Sequence, residues 1–451
     1  DAGATNLTDT SGEIQQIIKR AKEHNEKAIC FVTGVPGSGK TLVGLNIATN
    51  KSNGIGAAGE IVFLSGNQPL VTVLSEALAR DHVARAKEAG EPIAKADAIR
   101  LTKGFIQNIH HFRDDNLKTE SAPHDRVVVF DESQRAWDKN KLQTKMNEKG
   151  GLKEEFREMS EPDLLISVMD RHQDWCVIVC LVGGGQEINR GEAGISTWIE
   201  SMDTKYKDWK VYVSEEINNP EYSWGYSFDR ILASSRTRIL KKLHLSVSLR
   251  SFRSENLSNY INEVISGNIE RALELKESLR DYPIYVTRSL TKAKKWLKEQ
   301  ARGSERYGLV AEANAIRLKP DGVFVKSEID PAHWFLADKD DVRSSFYLED
   351  VATEYAVQGL ELDWVCVCWD AGLRRIEDEW HLFKFIGTKF TNRKQENERK
   401  YLMNAYRVLL TRARQGLIVF VPLGDSEDKT RDPSFYDGTY EYLINCGFDE
   451  L

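Results

Sequence analysis

The sequence predicts an α/β protein with two domains, each built on a mostly parallel sheet flanked by helices. Short apolar runs recur along the chain and alternate with segments of helical spacing, which is the pattern of parallel β-α units. These runs are nearly unbroken, as expected for strands that are covered on both faces. Their number over a chain of 451 residues indicates two sheets rather than one.

The apolar runs and the polar segments between them predict the order of elements. The first domain is predicted to span residues 1–215 and the second 243–451, with a polar linker at 216–242 that contains Asn218, Asn219 and Pro220. Charged stretches at about 133–160 and about 320–345 are interpreted as insertions. The predicted strands are 29–32, 61–64, 127–130, 177–182, 284–286, 309–311, 365–369 and 417–421.

Composition narrows the class of protein. A hydrophobic content of 41% and a charged content of 29% are ordinary for a globular chain. A net charge of −7 argues against a protein that coats nucleic acid with a wholly basic surface, but not against a local basic groove.

The six cysteines lack zinc-site spacing, so we expect buried free thiols in a reducing compartment. No membrane-spanning run or signal peptide is present, which predicts a cytoplasmic protein without membrane contact. Because the chain begins with Asp1 rather than Met, we expect residues upstream.

The segment after the first predicted strand carries the clearest functional motif. A strand, a glycine-rich loop and a helix in this order form a phosphate-binding loop, because backbone amides and the helix N-terminus surround phosphate oxygens. The pattern predicts that Lys40 reaches the β- and γ-phosphates of ATP and that Thr41 ligates Mg²⁺. The residues expected at the nucleotide are Gly34, Val35, Pro36, Gly37, Ser38, Gly39, Lys40, Thr41 and Leu42.

Polar residues at the ends of two later strands complete this predicted site. Asp131 and Glu132 follow the run 127–130, and the carboxyl edge of a parallel sheet is where such proteins bind ligands. Asp131 is predicted to hold Mg²⁺, and Glu132 to orient and deprotonate the attacking water. Gln186 follows the run 177–182 and three glycines. That segment is either a simple turn or a γ-phosphate contact, and its position after the acid pair favours the contact.

The order of these motifs resembles superfamily 1 helicases, and the resemblance continues through the second half. The segments LSVSLRS at 245–251, TEYAVQGLE at 353–361 and NAYRVLLTRAR at 404–414 resemble later motifs of that superfamily. The resemblance implies two RecA-like domains, with Arg250 and Arg412 as arginine fingers and with Gly359 and Glu361 at the nucleotide. Other arginines of the last motif, such as Arg407, are then expected to make structural salt bridges.

The set as a whole most closely resembles the bacterial Schlafen-related DNA/RNA helicase-like family. The phrases FLSGN at 63–67, GQEIN at 185–189 and QGLELDW at 358–364 look like signatures of that family, and the resemblance covers nearly the whole chain. It implies that Ser65, Asn67 and Thr353 contact a single strand, since short polar side chains bind phosphates without reading sequence. The resemblance also implies an adenine-reading glutamine upstream of the phosphate loop, for which Gln15 and Gln16 are the two candidates.

Other nucleic-acid contacts stay open at this point. The basic stretches 288–306 and 393–400 could attract phosphates, but both contain acids, so a solvated helix face is the better interpretation. His110, His111 and Trp137 can stack on bases, and packing inside the protein is an equally good interpretation.

These observations predict an ATP-dependent translocase or helicase that acts on single-stranded DNA or RNA. By analogy its role is nucleic-acid processing or antiviral defence against foreign DNA, with an upstream nuclease-like domain or a partner protein as a further expectation. One alternative is a nucleotide-driven switch that binds nucleic acid or a protein without unwinding. A small-molecule kinase also uses a phosphate loop, but the arginine motifs of the second half argue against it.

Overall fold

The chain folds into two compact units that differ from the predicted domains mainly at their boundary. The computed structural model describes residues 2–35, 37–49, 60–148, 156–183, 192–223, 225–247 and 252–451. One unit comprises residues 1–71 and 78–249, and the other comprises residues 72–77 and 250–451. Each contains a parallel sheet flanked by helices, which confirms the predicted fold class, and every predicted strand is present.

The first unit alternates strands and helices, as expected for parallel β-α connections. Its strands are β1 (Lys27–Gly34), β2 (Ile61–Ser65), β3 (Ile106–Asn108), β4 (Val127–Phe130), β5 (Cys176–Gly183), β6 (Lys210–Val213), β7 (Thr237–Ile239) and β8 (His244–Leu245). Its helices are α1 (Ala2–His24), α2 (Lys40–Thr49), α3 (Gln68–Glu88), of which residues 72–77 belong to the second unit, α4 (Lys95–Lys103), α5 (Ile109–Asn116), α6 (Lys139–Asn147), α7 (Glu161–Asp170), α8 (Gly194–Thr204), α9 (Pro220–Ser223) and α10 (Asp229–Leu232).

The strand order of the first sheet brings the acid pair and the glycine loop to one edge. The order is β3-β2-β4-β5-β1-β6-β7, with β8 also paired to β1, and all pairs are parallel. Because β5 lies between β4 and β1, the acid pair after β4 and the glycine loop after β1 leave the same edge on either side of β5. Every residue of β4 and β5 is buried, so the polar groups begin only where these strands end.

The segment proposed as a linker, 216–242, lies inside the first unit. β7 pairs with β6, and β8 pairs with β1 through Thr33 and His244 and through Gly34 and Leu245. The unit therefore extends to Leu249 instead of ending at residue 215. The sequence gives little sign of β7 because it is a short strand at the sheet edge and most of it is exposed.

The second unit has its own parallel sheet and a small antiparallel one. The parallel order is β11-β10-β12-β16-β9-β17, and the antiparallel order is β13-β14-β15. The strands are β9 (Ile284–Thr287), β10 (Tyr307–Ala311), β11 (Val351–Thr353), β12 (Leu362–Cys368), β13 (Leu373–Ile376), β14 (Glu379–Ile386), β15 (Lys389–Asn392), β16 (Ala413–Phe420) and β17 (Asp449–Glu450). The helices are α11 (Phe252–Ser266), α12 (Ile269–Lys276), α13 (Leu290–Gln300), α14 (Pro331–Leu336), α15 (Glu354–Val357), α16 (Glu396–Leu410) and α17 (Ser434–Asn445).

Two further predictions concern the state of the cysteines and the presence of membrane-spanning segments. All six cysteines are buried and free, as predicted. Among the described residues, no helix is both long and apolar enough to cross a bilayer.

The packing of α2 on the first sheet predicts different effects for two helical glycines. A Cβ atom at Gly44 would lie 2.8 Å from Phe63 Cε2 and 2.9 Å from Leu181 Cδ1, whereas one at Gly12 in α1 would meet nothing within 4 Å. We expect Gly44→Ala to lower the free energy of unfolding by about 1–3 kcal/mol through overpacking. Gly12→Ala should be neutral or stabilising by up to about 1 kcal/mol through helix propensity. Denaturant unfolding of both variants tests this, and equal effects would contradict the close packing of α2.

Candidate nucleotide-binding site

The loop between β1 and α2 contains two glycines in a left-handed backbone conformation. Gly37 and Gly39 have φ of 74° and 87°, a left-handed region in which other residues are strained. The amide of Ser38 donates to the carbonyl of Val35 at 3.1 Å, so the loop turns back on itself before α2 begins. Pro36 lies outside the described residues. A loop of this kind directs backbone amides toward an anion at the start of the helix.

Lys40 begins α2, and its ammonium group lies against the loop. Its Nζ donates to the carbonyl oxygens of Gly34 at 2.7 Å and of Val35 at 3.1 Å. The residue is only 9% exposed, so the positive charge is held at the loop. A phosphate oxygen in the loop would compete with these neutral carbonyls for the ammonium, and a charged acceptor makes the stronger hydrogen bond.

Thr41 and Asp131 come from different elements and meet in space. The Thr41 hydroxyl, in the first turn of α2, lies 3.2 Å from both carboxylate oxygens of Asp131, which follows β4. A hydroxyl and a carboxylate are the oxygen ligands that a hard divalent cation such as Mg²⁺ prefers. Among the described residues, no group of three or more His, Cys, Asp or Glu side chains could hold a metal. Mg²⁺ in proteins is commonly held by one or two carboxylates, with phosphate and water oxygens as its other ligands.

The electrostatic state of Asp131 also favours a cation. Burial and the neighbouring charge of Glu132 raise the pKa of Asp131 to about 7, and the hydrogen bond from Thr41 and the charge of Lys40 oppose that rise only in part. A buried carboxylate whose ionised form is this unfavourable gains from a positive charge placed against it. The Thr41–Asp131 contact is thus both chemically and electrostatically suited to Mg²⁺.

Glu132 is held by a residue that the sequence analysis did not select. The backbone of Glu132 is left-handed, with φ 51° and ψ 48°, which is uncommon for a residue other than glycine. Gln134 donates from its side-chain amide to Glu132 Oε2 and accepts the Gly183 amide at 3.1 Å, so it links the carboxylate to the end of β5. Gln134 is 1% exposed, and Arg135 Nε lies 3.9 Å from the same Glu132 oxygen.

The described part of the second unit brings two predicted nucleotide residues, Glu361 and Arg412, to neighbouring positions. Glu361 and Arg412 directly precede the neighbouring strands β12 and β16, and the amide of Leu362 donates to the Arg412 carbonyl at 3.0 Å. Arg412 is 9% exposed, and its Nε donates to the carbonyl of Val408 at 3.0 Å. Gly359, with φ 79°, turns the chain into this edge. Two further predicted residues, Gln186 of the first unit and Arg250 of the second, lie outside the described residues.

Two of the three residues predicted to contact a single strand have local roles in the folded chain. Ser65 is buried, and its hydroxyl accepts the amide of Asn67 at 3.2 Å. The Asn67 side chain caps α3 by accepting the amide of Leu70 at 3.2 Å. Thr353 ends β11 at the carboxyl edge of the second sheet, opposite the edge with Glu361 and Arg412. Contact of these three residues with nucleic acid stays a prediction.

For two of the three aromatic candidates, packing explains their position. The rings of His110 and Trp137 lie 4.3 Å apart, and the guanidinium of Arg113 lies 4.9 Å from the Trp137 ring. Buried Glu161 accepts from Arg113 at 2.6 Å and from the Trp137 amide at 2.8 Å. His110 and Trp137 therefore cover a buried ion pair. His111 is exposed and stays open as a contact.

Comparisons with known proteins place this site in a family context. A family model described as Schlafen group 3, DNA/RNA helicase domain, matches residues 27–423 of the chain. Comparison with curated proteins found no match. A solved structure titled "Structural Basis for DNA Unwinding at Forked dsDNA by two coordinating Pif1 helicases" is similar at 10% identity and a TM-score of 0.31, over 96% of this chain and 97% of that chain. A likeness so remote carries no argument, so the family match is the informative finding.

Proposed function

The chain belongs to the Schlafen group 3 DNA/RNA helicase domain family, and from that premise we propose that it is an ATP-driven translocase or helicase acting on single-stranded DNA or RNA. The contact between Thr41 and Asp131 beside the glycine loop carries this proposal. It joins the start of α2 to the end of β4, as a shared ATP and Mg²⁺ site requires.

The residues of the first unit fit ATP and Mg²⁺. The loop amides and Lys40 would hold the phosphates, and Thr41 and Asp131 would hold the cation, Asp131 through a water. Bound Mg²⁺ neutralises negative charge on the phosphate oxygens. Glu132 would accept a proton from the attacking water, with its carboxylate fixed by Gln134. We propose Gln186 as a further γ-phosphate contact.

We propose that residues of the second unit contribute to ATP hydrolysis. Arg250 and Arg412 are the proposed arginine fingers, since a planar guanidinium stabilises charge on a transferring phosphoryl group. Glu361 and Gly359, which precede β12 next to Arg412, are proposed at the nucleotide. The role in defence, the cytoplasmic location and an upstream nuclease-like domain or partner protein are proposed from the family resemblance alone.

Hydrolysis of ATP with and without single-stranded DNA and RNA tests the proposed function. A translocase should hydrolyse ATP faster when a single strand is present. Absence of hydrolysis under every condition would contradict the proposal. A strand-displacement assay then separates a motor from a switch, because a switch would hydrolyse ATP and bind the strand without separating a duplex.

The contact between Gln134 and Glu132 predicts a graded loss of turnover. Glu132→Gln should keep ATP binding and lose about 10²–10⁴-fold in turnover, because an amide cannot accept the proton. Gln134→Leu should lower turnover by up to about 10²-fold through a misplaced carboxylate, with little change in ATP affinity. The exposed Gln173 provides a control, since Gln173→Leu should leave both quantities unchanged. Turnover and nucleotide affinity are measured separately, and a Glu132→Gln protein with wild-type turnover would refute the base assignment.

The last motif predicts which arginine acts as a finger. Arg412→Ala should lower ATP affinity modestly and hydrolysis by about 10³–10⁵-fold, because a finger acts chiefly on transition-state charge. Arg412→Lys should restore little, since an ammonium lacks the planar fork. Arg407 donates to Asn404 one turn away on α16, so Arg407→Ala should be milder. An active Arg412→Ala beside an inactive Arg407→Ala would show that the wrong arginine has been chosen.

A further inference from the structure

An exposed tyrosine at the carboxyl edge of the second sheet is held in a way that surface side chains seldom are. Tyr355 lies in α15, directly after β11, and 55% of it is exposed. Its ring stacks on that of Tyr401 from α16, with centroids 6.1 Å apart and planes inclined by 27°. A single exposed aromatic residue is ordinary, so exposure alone says nothing about function. The informative feature is the support behind the ring.

That support is a buried hydrogen-bonded carboxylate. The Tyr401 hydroxyl donates to Glu354 Oε1 at 2.7 Å, and Glu354 Oε2 accepts the amide of Ala313 at 2.9 Å. Glu354 is 5% exposed, so this carboxylate joins the ends of β10 and β11 to α16 from inside the protein. The orientation of the Tyr401 ring is fixed by these bonds. Tyr355 therefore rests on a rigid aromatic surface and loses little conformational entropy on binding a flat ligand.

The surroundings of Tyr355 suit a ligand that is both flat and negatively charged. Lys326 is exposed and donates to the carbonyl of Ala313 at 2.8 Å, which places an ammonium beside the supporting network. The acids that act on the Tyr355 phenol, Glu354 and Glu312, are buried, and the charge of Arg393 opposes theirs. Partial burial raises the pKa of that phenol above its ordinary value, so the ring is neutral at neutral pH and does not repel phosphate. A planar base on a phosphate backbone has both required properties.

We propose that Tyr355 is a base-stacking residue for the single strand, positioned by Tyr401 and Glu354. The proposal rests on the proposed function and adds a contact of a different kind from that predicted for Thr353, two residues earlier. Thr353 would bind the phosphate backbone, whereas Tyr355 would hold the face of an unpaired base. Stacking of this kind tolerates any base, because every base has a π-face.

A comparison of base-bearing and abasic single strands tests the proposal. The measured quantity is the dissociation constant of the whole chain for a deoxythymidine oligonucleotide and for an abasic strand of equal length. Removal of one stacked base typically weakens binding by about 5- to 150-fold. Tyr355→Ala should lose about that factor on the base-bearing strand and almost nothing on the abasic strand. Tyr355→Phe should bind both strands as the wild type does, because it keeps the ring.

Two further variants test whether the effect is specific to Tyr355 and to the residues that support it. Tyr226 in the first unit is 61% exposed, and Tyr226→Ala should bind both strands normally. Tyr401→Phe keeps the supporting ring but loses its bond to Glu354, so it should weaken base-dependent binding less than Tyr355→Ala does. Thermal unfolding of each variant checks that it is folded.

The outcomes separate this proposal from the one on which it rests. If the wild type binds the strands but Tyr355→Ala binds them equally well, the stacking role is refuted and the proposed function is untouched. An equal loss on both strands would also refute stacking, because the base would then be irrelevant. A wild-type protein that binds no single-stranded DNA or RNA would overturn both proposals.

Discussion

The candidate site of the first unit depends on one contact, between the Thr41 hydroxyl and the Asp131 carboxylate. Thr41 is placed by the glycine loop that precedes α2, and Asp131 by the end of β4. The two meet because β4 and β1 lie on either side of β5 and run parallel, so both chains leave the sheet at the same edge. The fold of the first unit thus brings two distant segments of sequence into one oxygen-lined contact, which is the candidate cation site.

Charge at this edge explains why the site suits a cation. Asp131 is buried next to a second acid, and both burial and that neighbour disfavour its ionised form. Glu132 lies in a different setting, because its side chain is a third exposed and accepts a hydrogen bond from Gln134. The two acids therefore have different environments despite being adjacent. Such a difference is what separates a cation ligand from a proton acceptor in enzymes that use paired carboxylates.

The sequence predicted those parts of the molecule that are encoded locally. The apolar runs revealed the buried strands, and the glycine loop and the acid pair lie in contiguous segments. Gln134 was missed because its role depends on the Gly183 amide at the end of β5, which no local pattern reveals. β7 was missed because an exposed edge strand has no apolar run, and the sheet β13-β14-β15 because half-buried hairpins alternate instead of forming continuous apolar stretches.

The cation site can be tested by binding alone, without any measurement of turnover. Mn²⁺, which is paramagnetic, can replace Mg²⁺, and its binding in the presence of a non-hydrolysable ATP analogue is measured by electron paramagnetic resonance. We expect Asp131→Asn to weaken Mn²⁺ binding by about 10–100-fold, as for a ligand that acts through water. Nucleotide binding without metal should persist, and Asp229→Asn, on the surface of the same unit, should have no effect. Unchanged Mn²⁺ binding by Asp131→Asn would contradict a cation site at Thr41 and Asp131.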